Sequence, residues 1–429
     1  MQPDAHWNPQ PPRSHAIGDH DVPLDSDHLA GKRVALLVTG GIAAMKCPMI
    51  ARALRRHGAE VTAIATGEGL RYVTEDTLAW STDRPVVTQL SPRAEHLSGS
   101  EPFDAYLVAP ATYNTINKMA CGIADGTVTA TLASALGRLE RGGCAVLLCP
   151  TMHGSMHTQI LAESLVRLQK LGVQVIAPRD DYGKHNLPDE EPIVRAVCRA
   201  LSRSPLHSRR ALVTGGPVPA PIDAVRRISS RFTGALGVAI ARELDLCGCE
   251  VELVLGSGSV AAPAAPAWIR HQIARDVTHY RSLVLGALEI PTHAAVLSAA
   301  VADFAPSEVR AGKVPSAEGP WRIELQPTEK VIDVVHRLHP ALPLIGFKYE
   351  ECCEVDELLK VASARASQHG ACVANRGEDT PDGGVQTAWF VAAGHDPIQV
   401  SGKALIARTI REHLERVLEA HPMARDAPR

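Results

Sequence analysis

Twice in this chain an apolar, strand-like run ends on Thr-Gly-Gly: VALLVTGG at 34–41 and ALVTGG at 211–216. A run of that kind, followed by an amphipathic segment and a further apolar run, is a βαβ unit. Repeating it builds a parallel sheet covered by helices on both faces. The first copy continues through a helix-like stretch from Met45 to His57 into VTAIA (61–65), AYLVAP (105–110), CAVLLCP (144–150) and VQVIAP (173–178). The second continues with VELVLGSG (251–258), AAVLSAAVADF (294–304), LPLIGFK (342–348) and ACVAN (371–375). The expected class is α/β, with two open, mainly parallel, helix-covered sheets whose ligands gather at the carboxyl ends of the strands.

The polar, proline-containing SRSPLHSRR (202–210) separates the copies and marks a domain boundary. The expected organisation is a disordered tail over 1–30, a first domain over 31–201, a linker over 202–209, a second domain over 210–420 and a tail over 421–429. With 429 residues, 45% of them apolar, the chain can bury two cores of ordinary size. Its formal charge of -3 and lack of a long Lys/Arg block exclude the dense positive surface that nucleic acid or an anionic membrane demands, leaving small anionic substrates as the better candidates. The stretch Met1 to Ala30 lacks the apolar core of a secretory signal, and no apolar run reaches membrane-spanning length. Ten cysteines without paired CxxC spacing speak against a zinc site and a disulfide framework, so a soluble, cytoplasmic protein is expected.

In VTGGIAAMK (38–46) two glycines sit at a strand-to-helix turn, where backbone N–H groups and the helix start can hold a phosphate; a plain tight turn uses the same residues. The segment APATYNTINKMACGIADGTVT (109–129) adds Thr112, Asn114, Thr115 and Asn117 in one loop and helix start. Capping accounts for one of them but not for all four. Together with PTMHGSM (150–156), these motifs resemble the homo-oligomeric flavin-containing cysteine decarboxylases over residues 31–200. The resemblance implies a flavodoxin-like fold with FMN at a subunit interface, and cofactor contacts from Gly40, Gly41, Ile42, Thr66, Ala109, Pro110, Ala111, Thr112 and Asn114. It also implies a catalytic His96 and substrate contacts from Met152, His153 and Met156. Flavin oxidation of the cysteine thiol gives a thiocarbonyl, the electron sink that loss of CO2 requires.

Two positions depart from that family. His153 stands where the family carries an Asn that grips the substrate carboxylate. The flap APRDDYGKHNLPDEEPIV (177–194) lacks the proton-donating Cys of the coenzyme A enzymes. Either another acid, such as His185 or Cys149, takes its place, or the reaction stops at an enethiol as in peptide-modifying members.

In the second half, the Gly-Gly-Pro turn at 215–217 precedes a helix with Gly234 and Gly237 near its start. Asp303, Lys313, Lys348 and Asn375 follow three strand ends and a loop, and are expected to converge on one edge of the sheet. The motifs GGPxxxxIDxVRxIS, AAVADF, GKV, GFK and VAN resemble phosphopantothenate–cysteine ligases from Arg210 to about Ala420. The order of the two halves resembles the bifunctional decarboxylase/ligase family of coenzyme A biosynthesis. That resemblance implies a Rossmann-like second domain that activates a carboxylate with CTP (or ATP) and Mg2+ and couples it to cysteine. Nucleotide contacts then fall to Gly216, Pro217, Asp303, Lys313, Phe347, Lys348 and Asn375, with Lys313 catalytic at the α-phosphate. Ser230 replaces the family's Asn in the I-S-N-x-x-S-G motif. The expected function is coupling of 4'-phosphopantothenate with cysteine, then FMN-dependent decarboxylation to 4'-phosphopantetheine. The alternatives are a divergent flavoprotein acting on another cysteine-containing substrate, such as a peptide, and a non-catalytic FMN-binding scaffold.

Overall fold

The computed structural model describes residues 10, 18, 20–97, 101–259, 266–316, 319–379 and 384–420. Most of the amino-terminal tail and all of the carboxy-terminal tail expected from the sequence lie outside them. The chain forms two compact units, residues 1–197 and 198–429.

The first unit runs β1 (Arg33–Val38), α1 (Cys47–Arg56), β2 (Glu60–Ala65), α2 (Glu75–Thr82), β3 (Ala105–Ala111), α3 (Tyr113–Ala120), α4 (Thr127–Leu139), β4 (Ala145–Pro150), β5 (Met152–His153), α5 (Gln159–Lys170), β6 (Gln174–Val175), β7 (Arg179–Asp181) and β8 (Lys184–Asn186). Helix α6 (Glu190–Leu201) crosses the unit boundary ahead of the 202–209 stretch. Strands β2-β1-β3-β4-β6 form one parallel sheet, the flavodoxin-like order. The central strands are apolar throughout because helices cover both faces: every residue of β3 and of β4 is buried. The run VQVIAP yields only the two-residue β6, since an edge strand needs few partners. Strands β5, β8 and β7 make a separate antiparallel sheet.

The second unit runs β9 (Arg210–Gly215), β10 (Pro217–Val218), β11 (Ala220–Pro221), β12 (Arg227–Ile228), α7 (Ala235–Leu246), β13 (Glu250–Gly256), β14 (Arg270–Ala274), α8 (Val277–Leu288), β15 (Ala294–Leu297), β16 (Ala300–Val301), β17 (Phe304–Pro306), β18 (Leu325–Pro327), α9 (Val331–Leu338), β19 (Leu344–Glu350), α10 (Val355–His369), β20 (Gly370–Arg376), β21 (Thr387–Ala392), β22 (Ile398–Ser401) and α11 (Lys403–Ala420). Its main sheet is ordered β14-β13-β9-β15-β19-β20-β21-β22. The first six follow the 3-2-1-4-5-6 Rossmann order, and the last two add an antiparallel edge. Successive residues of each strand enter cores on opposite faces: Val213, Leu253, Val296 and Ile345 pack with α7 and α11, whereas Leu212, Val254, Ala295 and Leu344 pack with α8 and α9.

Gly256, at the end of β13, lets the backbone of Pro217 pass directly over it. A Cβ there would lie 1.9 Å from the Pro217 carbonyl oxygen. Gly286 in α8 has nothing within 4 Å of its missing Cβ. Gly256→Ala is therefore expected to cost the second unit ~3 kcal/mol by forcing backbone apart. Gly286→Ala is expected to be neutral or to stabilise by about 0.5–1 kcal/mol through helix propensity. Urea unfolding of the two variants checks both, and equal effects would contradict the close approach at Gly256.

Candidate functional site

In the first unit the strand order reverses between β1 and β3, and both sequence motifs meet there. Thr39 Oγ1 donates to the Pro110 carbonyl at 2.6 Å and lies 3.4 Å from Thr112 Oγ1. A buried bond of this kind contributes ~1 kcal/mol net, and leaving the carbonyl unmatched costs about 1–3 kcal/mol, so the two loops are firmly tied. Gly40 and Gly41 follow Thr39 with no acceptor for their N–H groups among the described residues. They lie against neighbours that leave little room for a side chain. A Cβ on Gly40 would fall 2.6 Å from the Glu68 Cβ, and one on Gly41 would fall 3.5 Å from the Thr112 methyl. Thr66, after β2, accepts the Gly69 N–H at 3.0 Å and shapes the neighbouring loop. Ala109, Pro110 and Ala111 end β3 in the buried sheet, and their Ala109–Pro110 peptide is cis. Thr112 Oγ1 bonds Thr115 Oγ1 at 3.1 Å, and Asn117 bonds the Tyr113 carbonyl and Ser164 instead of facing the loop. Asn114 is exposed and its side chain has no hydrogen-bond partner among the described residues, which leaves its amide open to a ligand. The arrangement suits a phosphate ester: free N–H groups at a helix start, with hydroxyl and amide groups beside them.

Ile42 is 68% exposed, and Met45 and Met49, further along the same turn and α1, are also exposed. His96 lies on the loop leading to β3, half-buried, and its Nδ1 is buried without a hydrogen-bond partner. Among the described residues no hydrogen bond or ring contact joins His96 to the glycine turn. Met152 is buried in the core of the unit, while His153 and Met156 face solvent. The Nδ1 of His153 accepts the Ser155 N–H at 3.2 Å. That bond leaves Nε2–H as the ring's donor, which fixes which nitrogen can meet a carboxylate. Cys149, one of the two alternative acids, is fully buried in β4, and burial pushes its thiol far above the ordinary range, with Cys47 beside it adding to the effect. It cannot serve as an acid for a ligand at the strand ends.

In the second unit the order reverses between β9 and β15, and Thr214 plays the part of Thr39. Its Oγ1 accepts the Tyr280 hydroxyl at 3.1 Å and the Ala299 N–H at 3.1 Å, and its carbonyl accepts Ser298 Oγ. Burial raises the Tyr280 phenol to about 12, against the opposing pull of the Thr214 bond, so it remains a neutral donor. Gly216 and Gly234 face each other in left-handed backbone (φ 74° and 81°). A Cβ on Gly234 would lie 2.9 Å from the Gly216 Cα. Only glycine accepts both the conformation and the approach. Beyond them opens a cavity of about 460 Å³ lined by Gly216, Ser230, Asp303, Phe347, Lys348 and Asn375, among others. The amino end of α7 contributes Leu236 and Gly237 to the same wall.

Three of the four polar groups expected to converge therefore do so: Asp303, Lys348 and Asn375. Lys313 does not line the cavity. It is exposed on the loop after β17, whose position is set by its neighbour Val314. The Val314 N–H donates to Asp223 at 3.3 Å, and its carbonyl accepts Arg226 at 3.1 Å. Burial alone would raise the Asp223 carboxyl, but the N–H groups of Arg226, Val225 and Val314 and the Arg226 charge overcome it and hold the group at about 2. Pro217 is buried and does not line the cavity. The cavity also gathers Lys330, the residue capping α9, Arg365 of α10 and Lys403 of α11, which sequence reasoning missed because they come from three separate elements. Lys330 pairs with Asp303, and Lys348 pairs with Glu350 at 2.7 Å; Arg365 and Lys403 have no carboxylate partner among the described residues. A cavity with two neutralised and two unneutralised cations suits a ligand with more than one anionic group.

Residues 24–202 match the Flavoprotein family, and residues 206–417 match the family described as DNA/pantothenate metabolism flavoprotein C-terminal domain. The Coenzyme A biosynthesis bifunctional protein CoaBC of Thermococcus kodakarensis is 36% identical over 356 residues, 81% of this chain and 85% of that protein. Its counterpart in Mycobacterium bovis is 32% identical over 366 residues, 79% of this chain and 84% of that protein. A crystal structure of the C-terminal domain of Coenzyme A biosynthesis bifunctional protein CoaBC covers 51% of this chain and 99% of its own, with 24% identity and a TM-score of 0.42. The chain belongs to the family of coenzyme A biosynthesis bifunctional proteins, with a flavoprotein domain followed by a pantothenate-metabolism domain.

Proposed function

We propose that the second domain, over 210–420, couples 4'-phosphopantothenate to cysteine at the expense of CTP or ATP, and that the first, over 31–201, decarboxylates the product to 4'-phosphopantetheine with FMN. One observation carries this reading: a single chain presents two Thr-Gly-Gly turns, each at the point where its sheet reverses order, and the second opens on a cavity rich in cations. FMN suits the first turn, where the free N–H groups of Gly40 and Gly41 meet its phosphate and Thr66, Thr112 and Asn114 offer polar contacts. When bound, it supplies the electron sink for decarboxylation. His96 accepts the substrate's proton, and His153 donates Nε2–H to the departing carboxylate.

In the second domain Lys330, Lys348, Arg365 and Lys403 counter the charge of the nucleotide and of the phosphorylated acid. Among the described residues no group of three or more His, Cys, Asp or Glu is placed to hold a metal, so Mg2+ enters on the triphosphate, as is usual for this ion. Lys313 reaches the α-phosphate from its exposed loop. All ten cysteines are free thiols and no helix among the described residues is long and apolar enough to cross a membrane, which supports a cytoplasmic setting. The exposed Ile42, Met45 and Met49 beside the glycine turn support a homo-oligomer whose interface borders the flavin.

The purified protein, given 4'-phosphopantothenate, cysteine, CTP and Mg2+, is expected to yield 4'-phosphopantetheine by mass spectrometry. EDTA is expected to abolish amide formation while leaving decarboxylation of added 4'-phosphopantothenoylcysteine intact. Amide formation unaffected by EDTA would overturn the metal assignment, and no amide with either nucleotide would overturn the ligase reading. Met45→Asp combined with Met49→Asp is expected to reduce the particle to smaller species on sedimentation and to release flavin; an unchanged size would contradict the interface.

A further inference from the structure

We propose that His185 is the general acid that supplies the proton taking the lost carboxylate's place on carbon as the enethiol is saturated; this rests on the decarboxylase reading of the first domain. Strands β7 and β8 form a hairpin closed by Tyr182 and Gly183, both in left-handed backbone at φ 54° and 67°. Two such residues in succession give the tight turn that matches the twist of paired strands. The hairpin docks on the PTMHGSM motif through β5, pairing Met152 with His185 and His153 with Lys184. Directly opposed residues share a face of an antiparallel pair. Met152 is 7% exposed and belongs to the core, so His185 is on the inward face, whereas His153 and Lys184 are exposed on the other.

Two neighbours orient the His185 ring. Across the hairpin, Asp180 is its strand partner and its carboxylate bonds Nδ1. From the loop after β5, the His157 ring meets it edge-on, with centroids 4.0 Å apart and planes at 88°. A carboxylate on Nδ1 holds the proton there and leaves Nε2 as the nitrogen that gains and gives the exchanging one. It is the histidine–carboxylate pairing that acid–base sites use to set a tautomer. Two other groups near the motif do not qualify. Cys149 is sealed in β4, and His153, exposed on the opposite face from His185, has its Nε2–H assigned to the carboxylate.

The stoichiometry of the step requires such a group. In the net reaction R–CO2⁻ and one proton become R–H and CO2 with no net oxidation; with a thiocarbonyl as the electron sink, the pair of the broken C–C bond passes into the C=C bond of an enethiol, and saturating that bond takes the two electrons first removed from the thiol together with a proton at carbon. The proton comes from His185 Nε2–H, and water restores it. Without a donor, the product leaves as the enethiol, two hydrogens lighter, and those two hydrogens stay on the flavin, which remains reduced.

The test gives the flavin-bearing protein 4'-phosphopantothenoylcysteine under anaerobic conditions, with product mass and flavin absorbance as readouts. The wild type is expected to release saturated 4'-phosphopantetheine and to end with oxidised flavin. His185→Gln is expected to shift the product to the enethiol, lowering the saturated fraction by a factor of ~10² and leaving the flavin bleached after one turnover. Asp180→Asn, which keeps the ring in place but removes the charge, is expected to lie between the two. In peptide mapping of the wild type, bound 4'-phosphopantetheine is expected to shield His185 from diethyl pyrocarbonate. Saturated product in wild-type proportion from a flavin-loaded His185→Gln, enethiol as the only wild-type product, or an unshielded His185 would each overturn the assignment. No CO2 from the wild type would remove the decarboxylase reading and this acid with it.

Discussion

The close approach of backbone to ligand at a glycine turn is the constraint on which the rest of this molecule depends. At Gly40 and Gly41 the first sheet offers N–H groups that find no acceptor among the described residues. At Gly216 and Gly234 the second brings two left-handed glycines together at the start of α7. In each case the threonine before the glycines binds the neighbouring strand end: Thr39 to Pro110, and Thr214 to Ser298 and Ala299. Polar groups left open at strand ends are tolerated only because the sheets behind them are buried on both faces. The apolar cores provide the rigidity, and the turns convert it into binding geometry.

Around that shared device the two units differ in chemistry. The first surrounds its turn with hydroxyls and an amide, and buries Cys47 and Cys149 in its core. Burial drives Cys47 to about 12 and holds Cys149 higher still, which keeps both as neutral packing groups. The second surrounds its turn with cations. Pairing Lys330 with Asp303 and Lys348 with Glu350 lowers the cost of holding four positive groups around one cavity, while Arg365 and Lys403 stay unneutralised.

Most of the architecture was legible in the sequence, because parallel strands covered on both faces read as continuous apolar runs; VALLV, AYLVAP and CAVLLCP each became a central strand. The antiparallel β21 and β22 were not, since edge strands carry a weak pattern, and of the run VQVIAP only β6 pairs as a strand. The site was legible where its residues fall in one motif. Gly216, Asp303, Phe347, Lys348 and Asn375 line one cavity, while Lys313, at the end of a loop fastened by Asp223, lies outside the cavity wall. Lys330, Arg365 and Lys403 each read as an ordinary helical surface cation. Only the folded sheet shows that α9, α10 and α11 turn them toward the same space. His185 was visible as a candidate acid, but Asp180 and His157 as its orienting neighbours required the hairpin register.

Native mass spectrometry of ligand occupancy tests the central claim, that each turn is an independent phosphate-ester site, most directly. The wild-type chain is expected to hold one FMN and one nucleoside triphosphate together. Gly40→Ala, whose new Cβ collides with Glu68, is expected to lose only FMN, and Gly234→Ala, whose Cβ collides with Gly216, only the nucleotide. Loss of both ligands from either folded variant, or of neither, would contradict the account.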